Sequence, residues 1–201
     1  NNPTGTIVNK QEVNAFVAQV PENILIVFDS AYCEYAEDDR QYESGDTYVI
    51  KYPNVIELRT FSKMYALAGL RVGYGIAAAE TIAMIARTRE PFNVNTLAQV
   101  AAVASLQDVA HLEQSRKINH EGKKYLCDQF HQLGLKYIPT HGNFIMVDTC
   151  QDCQEIFQGL KEKGIIVRAG TAFGMPTYLR VTIGTPEQNE RFIAALKEIL
   201  A

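Results

Sequence analysis

Apolar residues recur along this chain at two different spacings, and the changes between them mark its elements. From Gln11 to Val20 they fall at Val13, Phe16, Val17 and Val20, a helical spacing that stops at Pro21. Ile24-Leu25-Ile26-Val27-Phe28 is then a short run without polar alternation, closed by Asp29. A run apolar on both faces fits a buried parallel strand. Val55 to Thr60 reads as the next strand and Arg71 to Ile76 as a third. Asn95 to Leu106 is an alanine-rich helix, and a long polar helical stretch runs on from Asp108 to Leu133.

After Gly134 the pattern changes. Strands are expected at Asn143 to Asp148, Ile165 to Arg168 and Tyr178 to Ile183, with helices at Cys153 to Lys163 and Pro186 to Leu200. Pro186-Glu187 is a sound helix opening, because proline tolerates the first turn and a carboxylate favours it. The order β-α-β-β-α reads as a small α+β domain following an α/β one. No internal repeat or low-complexity segment interrupts it.

Composition alters this picture at a few points. The net charge of -4, with lysines and arginines scattered, gives no electrostatic support for binding nucleic acid or an anionic membrane surface. The richest apolar stretch, Gly75 to Ile85, is broken by Glu80 and Thr81 and is too short to cross a bilayer. Of four cysteines, Cys33, Cys127, Cys150 and Cys153, only the last two have a CxxC spacing, and no second ligand pair accompanies them. Reduced thiols in a cytoplasmic protein without a metal site are therefore expected. The opening Asn-Asn-Pro-Thr-Gly has neither an initiator methionine nor the features of a signal peptide. The chain is thus expected to begin inside a larger fold.

Two of the predicted strands end in polar residues, where ligands collect in open α/β sheets. The second runs into Thr60-Phe61-Ser62-Lys63, with Arg71 eight residues on. An unpaired ammonium at the end of a buried strand is costly, whereas a neutral amine there can attack an aldehyde. Ser62 and Arg71 can both reach one phosphate, Arg71 with its planar fork. The same residues can equally be a surface lysine and arginine flanking a loop. The first strand ends in Asp29, with Tyr32 three residues on. A carboxylate there can hold a protonated ring nitrogen, since a nearby cation favours the ionised acid. It can equally cap the next helix. Asn2-Pro3-Thr4-Gly5 is a turn by composition.

Together, Asn2-Pro3-Thr4-Gly5, Asp29-Ser30-Ala31-Tyr32 and Ser62-Lys63 with Arg71 strongly resemble the signature of the fold-type I aminotransferases of classes I and II, in the family's order and spacing. The resemblance extends over the whole chain. It implies an α/β fold: a partial fold-type I large domain, a mostly parallel sheet with helices, over residues 1–118, and a small C-terminal α+β domain over 119–201. It also implies pyridoxal 5'-phosphate as cofactor, with Lys63 forming the Schiff base and Asp29 pairing with the pyridinium. Asn2 and Tyr32 would contact the ring 3-oxygen, while Ser62 and Arg71 would bind the phosphate.

Within the family, the subfamily most similar is histidinol-phosphate aminotransferase. The stretches that carry this are Thr60 to Tyr74, Asn143-Phe144, Gly164 to Arg168 and Tyr178 to Thr185. The resemblance makes Arg180 the arginine that receives the substrate carboxylate, and Arg168 one associated with the substrate's distal phosphate. Alone, Arg168 reads as well as a strand-end arginine on a solvated edge. The implied reaction is a ping-pong amino transfer between L-histidinol phosphate and 2-oxoglutarate, in a cytoplasmic homodimer acting on small amino-acid and oxo-acid substrates. Other fold-type I enzymes, an aromatic aminotransferase or a threonine-phosphate decarboxylase, share these signatures. A silent fragment serving only as a binding or dimerisation module is a third reading. The family's upstream portion, with its glycine-containing phosphate loop and ring-stacking aromatic, has no counterpart here. Little or no turnover is therefore expected of this chain alone.

Overall fold

The computed structural model describes residues 1–200. The chain forms two compact units, one of Val8–Glu113 and one of Asn1–Ile7 with the chain from Gln114 onward.

In the first unit, α1 (Lys10–Val17) opens on Asn9, whose side chain accepts the Glu12 amide. Strand β1 (Ile26–Asp29) pairs in parallel with β2 (Val55–Thr60), and β3 (Gly73–Ala77) returns antiparallel to β2. The sheet order is β1-β2-β3. A parallel pair needs a long crossover, and α2 (Cys33–Ala36) and α3 (Asp46–Lys51) lie in the one between β1 and β2. The link from β2 to β3 holds no such helix, only a single 3-10 turn at Ala68–Leu70, and the chain turns straight back. Helices α4 (Ala79–Ala86) and α5 (Thr96–Gln107) follow.

The parallel pairing of β1 is as its composition leads one to expect, but its burial is one-sided. Ile26 is buried with Val17, Tyr48 and Val55, whereas Val27 is 54% exposed. A second cluster joins Phe61 and Val72 to Ala98 and Ala102 of α5.

One face of β2 carries an ionic cluster that hydrophobic patterning does not announce. Glu57 is fully buried, and its Oε1 lies 3.2 Å from Arg59 Nε. Ser44 bridges the two: its hydroxyl donates to Glu57 Oε1 (3.2 Å) and accepts from Arg59 Nη2 (2.6 Å). Asp46, in the first turn of α3, lies 3.3 Å from the same Arg59 nitrogen.

The second unit begins its sequence-continuous part within α6 (Val109–Gln132). Strands β4 (Lys136–Ile138), β5 (Phe144–Asp148), β6 (Arg168–Ala169) and β7 (Tyr178–Thr182) form an antiparallel sheet in the order β4-β5-β7-β6. Helices α7 (Cys153–Glu162) and α8 (Pro186–Leu200) complete it. Leu126 and Phe130 of α6, Ile145 and Val147 of β5, Leu160 of α7 and Leu196 of α8 meet in one core. This explains the amphipathic spacing of α7 and α8.

The opening turn belongs to this unit too. Gly5 O accepts the His141 amide at 2.8 Å. The backbone at Gly5 has φ +78°, and a Cβ there would stand 2.1 Å from Thr140 Oγ1. The glycine of Asn-Pro-Thr-Gly is thus required both by its conformation and by the close passage of Thr140.

All four cysteines are free thiols. Burial, reinforced by the charge of Glu34, pushes the Cys33 thiol up to about 12. Because the thiolate is the reactive form, alkylation at pH 8 is expected to label exposed Cys150 rapidly and leave Cys33 untouched until the protein is unfolded. Peptide mapping of the alkylated protein reads this directly, and fast native labelling of Cys33 would contradict it.

Candidate active site

Five of the residues singled out in the sequence lie in the Val8–Glu113 unit. Asp29 is the last residue of β1 and stands opposite Leu58 of β2. One of its oxygens accepts the Ala31 amide at 3.2 Å, which turns the chain toward Tyr32. Lys63 lies three residues past the end of β2, with Nζ 5.5 Å from the centre of the Tyr32 ring. Tyr32 and Lys63 are thereby brought together from separate stretches of sequence.

The loop that carries Lys63 is tightly tied. Phe61 N donates to Val72 O (3.2 Å) across its neck, and Leu67 N donates to Phe61 O (2.9 Å). Ala66 N donates to Lys63 O (3.0 Å), and the Thr60 hydroxyl accepts the Ser62 amide (3.1 Å). Phe61 and Val72 are both buried, so the two ends of the loop are held by packing as well. Ser62, Lys63 and Arg71 thus share one closed loop. Arg71 is exposed, adopts a left-handed backbone (φ 57°), and donates from Nη1 to Ala68 O at 2.9 Å.

Asp29, Lys63 and Arg71 have one property in common. Among the described residues none of them has a partner of opposite charge. A carboxylate at the end of β1, and an amine and a guanidinium in the loop that joins β2 to β3, all without counter-charges, form a donor set with ligand chemistry. They match a cationic ring nitrogen, an aldehyde and a phosphate respectively.

The other three residues lie in the second unit. Arg168 and Arg180 stand directly opposite each other across β6 and β7, so their side chains leave the same face of the sheet. Arg180 Nη1 donates to the side-chain oxygen of Asn2 at 2.6 Å. Its guanidinium also lies 5.2 Å from the centre of the Phe144 ring and 5.7 Å from that of Phe173. Arg168 reaches the same Phe173 ring at 6.0 Å.

Sequence reasoning missed the part played by these two phenylalanines. Phe144 belongs to the Asn143-Phe144 pair but carries no charge or periodicity that assigns it a contact with an arginine. Phe173 sits in a short 3-10 turn (Gly170–Phe173) whose only signal was the glycine at each end.

Residues 1–196 match the family profile described as aminotransferase class I and II. The chain belongs to the class I and II aminotransferases. Among curated members of this aminotransferase family, the histidinol-phosphate aminotransferase of Moorella thermoacetica is 57% identical across all of this chain and 52% of its own length. That of Brevibacillus brevis is 48% identical, with 55% of its length covered. The crystal structure of histidinol-phosphate aminotransferase from Sinorhizobium meliloti in complex with pyridoxal-5'-phosphate is 31% identical. It superposes with a TM-score of 0.90 over 99% of this chain and 55% of that one. The chain spans about half the length of the curated relatives it matches.

Proposed function

We propose that this chain carries the lysine-bearing and C-terminal parts of a pyridoxal-phosphate-dependent aminotransferase that exchanges the amino group of L-histidinol phosphate with 2-oxoglutarate. The observation that carries the reading is the set of uncompensated charges at Asp29, Lys63 and Arg71, held on one sheet edge and one closed loop. Support for the substrate comes from the names of the relatives, together with a pair of arginines facing the same way.

When bound, the cofactor supplies an aldehyde to the substrate amine and an electron-withdrawing ring that accepts negative charge. Lys63 would anchor it covalently and, once released, carry the proton to and from the substrate α-carbon. Asp29 would keep the ring nitrogen protonated, while Asn2 and Tyr32 would hold the ring oxygen. Ser62 and Arg71 would grip the phosphate, Arg71 with two parallel donors. Arg180 would take the carboxylate of 2-oxoglutarate and Arg168 the phosphate of L-histidinol phosphate, tasks suited to a planar fork rather than an ammonium. Because that donor has no carboxylate, the fork of Arg180 would be open to its phosphate as well. The working form would be a cytoplasmic homodimer, with residues 1–118 serving the cofactor and 119–201 forming the small domain. No helix among the described residues is long and apolar enough to cross a membrane.

The test is the amino-donor half-reaction of the complete polypeptide as its gene encodes it. The cofactor spectrum is expected to change on adding L-histidinol phosphate and to change little with phenylalanine or threonine phosphate. A preference for phenylalanine would make it an aromatic aminotransferase. Release of carbon dioxide from threonine phosphate would make it a decarboxylase.

A further inference from the structure

We propose that Phe173 is a positioning residue, one that sets the spacing of Arg168 and Arg180 so that the two forks grip a single doubly charged phosphate monoester. This rests on the substrate reading above but assigns a role to a residue outside the reacting groups.

The two arginines are direct cross-strand partners, and like charges so placed repel each other. Neither has a carboxylate partner among the described residues, and the polar contact of Arg180 is to the neutral amide of Asn2. The group both guanidiniums share is the Phe173 ring, over which they lie at 6.0 and 5.7 Å from its centre, with Arg180 also 5.2 Å from the Phe144 ring. The electron-rich face of an aromatic ring attracts a cation without consuming its hydrogen-bond donors. A carboxylate in the same place would neutralise the pair and occupy those donors. Phe173 therefore holds two cations near each other and leaves their forks available.

The ring is itself well placed to do this, because the turn that presents it is fixed at several points. Gly174 N donates to Thr171 O and Met175 N to Gly170 O, both at 3.1 Å. The Thr171 hydroxyl accepts from Gln154 Nε2 at 3.1 Å and lies 3.1 Å from Cys153 Sγ, which ties the turn to the start of α7. At Gly170 a Cβ would stand 2.3 Å from Met175 O and 2.6 Å from Tyr178 O, so the turn packs against its neighbours with no space for a side chain there.

Two forks held at a fixed separation favour a ligand with charge for both. A phosphate monoester carries up to two negative charges and three acceptor oxygens, whereas a lone carboxylate engages one fork. Losing the ring should therefore weaken phosphate recognition selectively.

The experiment compares wild type, Phe173→Leu and Phe173→Tyr. In the complete polypeptide, KM for the phosphate-bearing donor is expected to rise about five- to tenfold in Phe173→Leu, with kcat changed less than about twofold. KM for L-histidinol, the same donor without its phosphate, should stay within about twofold, and Phe173→Tyr should restore the wild-type value, since its ring face remains. Equal losses for both donors, or no loss, would overturn the proposal.

A second measurement is independent of transamination. Methyl phosphate, whose second proton leaves near pH 6, is titrated into the protein at pH 5 and pH 8 while the arginine side-chain NMR signals are followed. Wild type is expected to bind more tightly at pH 8, and Phe173→Leu to lose that preference. If transamination fails but this dependence on Phe173 holds, the inference stands and the substrate reading falls. No binding to wild type, or equal pH dependence in the two proteins, overturns the inference.

Discussion

Replacing Lys63 with alanine is expected to lower kcat/KM for amino transfer by about a thousandfold or more, because both the covalent anchor and the proton carrier are removed. Lys63 makes no ion pair and its side chain is half-buried beside Tyr32, so stability should change by less than about 0.5 kcal/mol. Lys63→Arg is an informative companion. It keeps the charge and much of the length, but a guanidinium cannot deprotonate and cannot serve as the amine. It should be as inactive as alanine. Steady-state kinetics on the complete polypeptide measure the loss, and borohydride reduction followed by peptide mapping should place the cofactor on Lys63. A label on any other lysine would show that the site has been assigned to the wrong loop.

The second large effect is on stability. Arg59→Ala removes the cation 3.2 Å from the fully buried Glu57 carboxylate. One oxygen of that carboxylate, Oε2, has no hydrogen-bond partner, and the other is left with only the Ser44 hydroxyl. An uncompensated buried charge of this kind costs about 3–5 kcal/mol. Replacing both partners, Glu57→Leu with Arg59→Met, removes the charge along with its counter-ion and should recover most of the loss. Hydrogen exchange at the β2 amides in the wild type and the two variants isolates the effect to this unit. If Arg59→Ala costs less than about 1 kcal/mol, the cluster is surface-like in energy despite its burial. The cluster lies on the strand that ends just before Lys63, so the same substitution should also loosen the base of the lysine loop.

Much of the fold was legible because the longer elements bury a regular stripe. Val55–Thr60 is the strand its pattern describes, and Thr96–Gln107, Val109–Gln132, Cys153–Glu162 and Pro186–Leu200 agree with expectation to within a residue or two. The short elements were not legible. Cys33–Ala36 and Asp46–Lys51 are too brief to show a helical period, and Lys136–Ile138 is too brief to alternate. The run Ile165 to Arg168 looked like a strand by composition, yet only Arg168–Ala169 pairs, with Ile166 left largely exposed. Strand formation there depends on what lies alongside, which a local pattern does not contain.

The candidate site divides along similar lines. Ser62, Lys63 and Arg71 lie in one loop, so their spacing alone brings them together. Arg168 and Arg180 become neighbours only through the register of β6 and β7. Phe173 meets both through a turn that periodicity cannot foresee.

The tied neck beneath Lys63 has a bearing on timing. With Phe61 bonded to Val72 and Leu67 bonded back to Phe61, the backbone under the amine has little freedom to swing. Travel of the nitrogen between its positions then falls to rotation about the lysine's own four methylenes, on a picosecond-to-nanosecond scale, rather than to slower loop displacement. The amine is mobile on a stationary base, and its arrival should not set the pace of turnover.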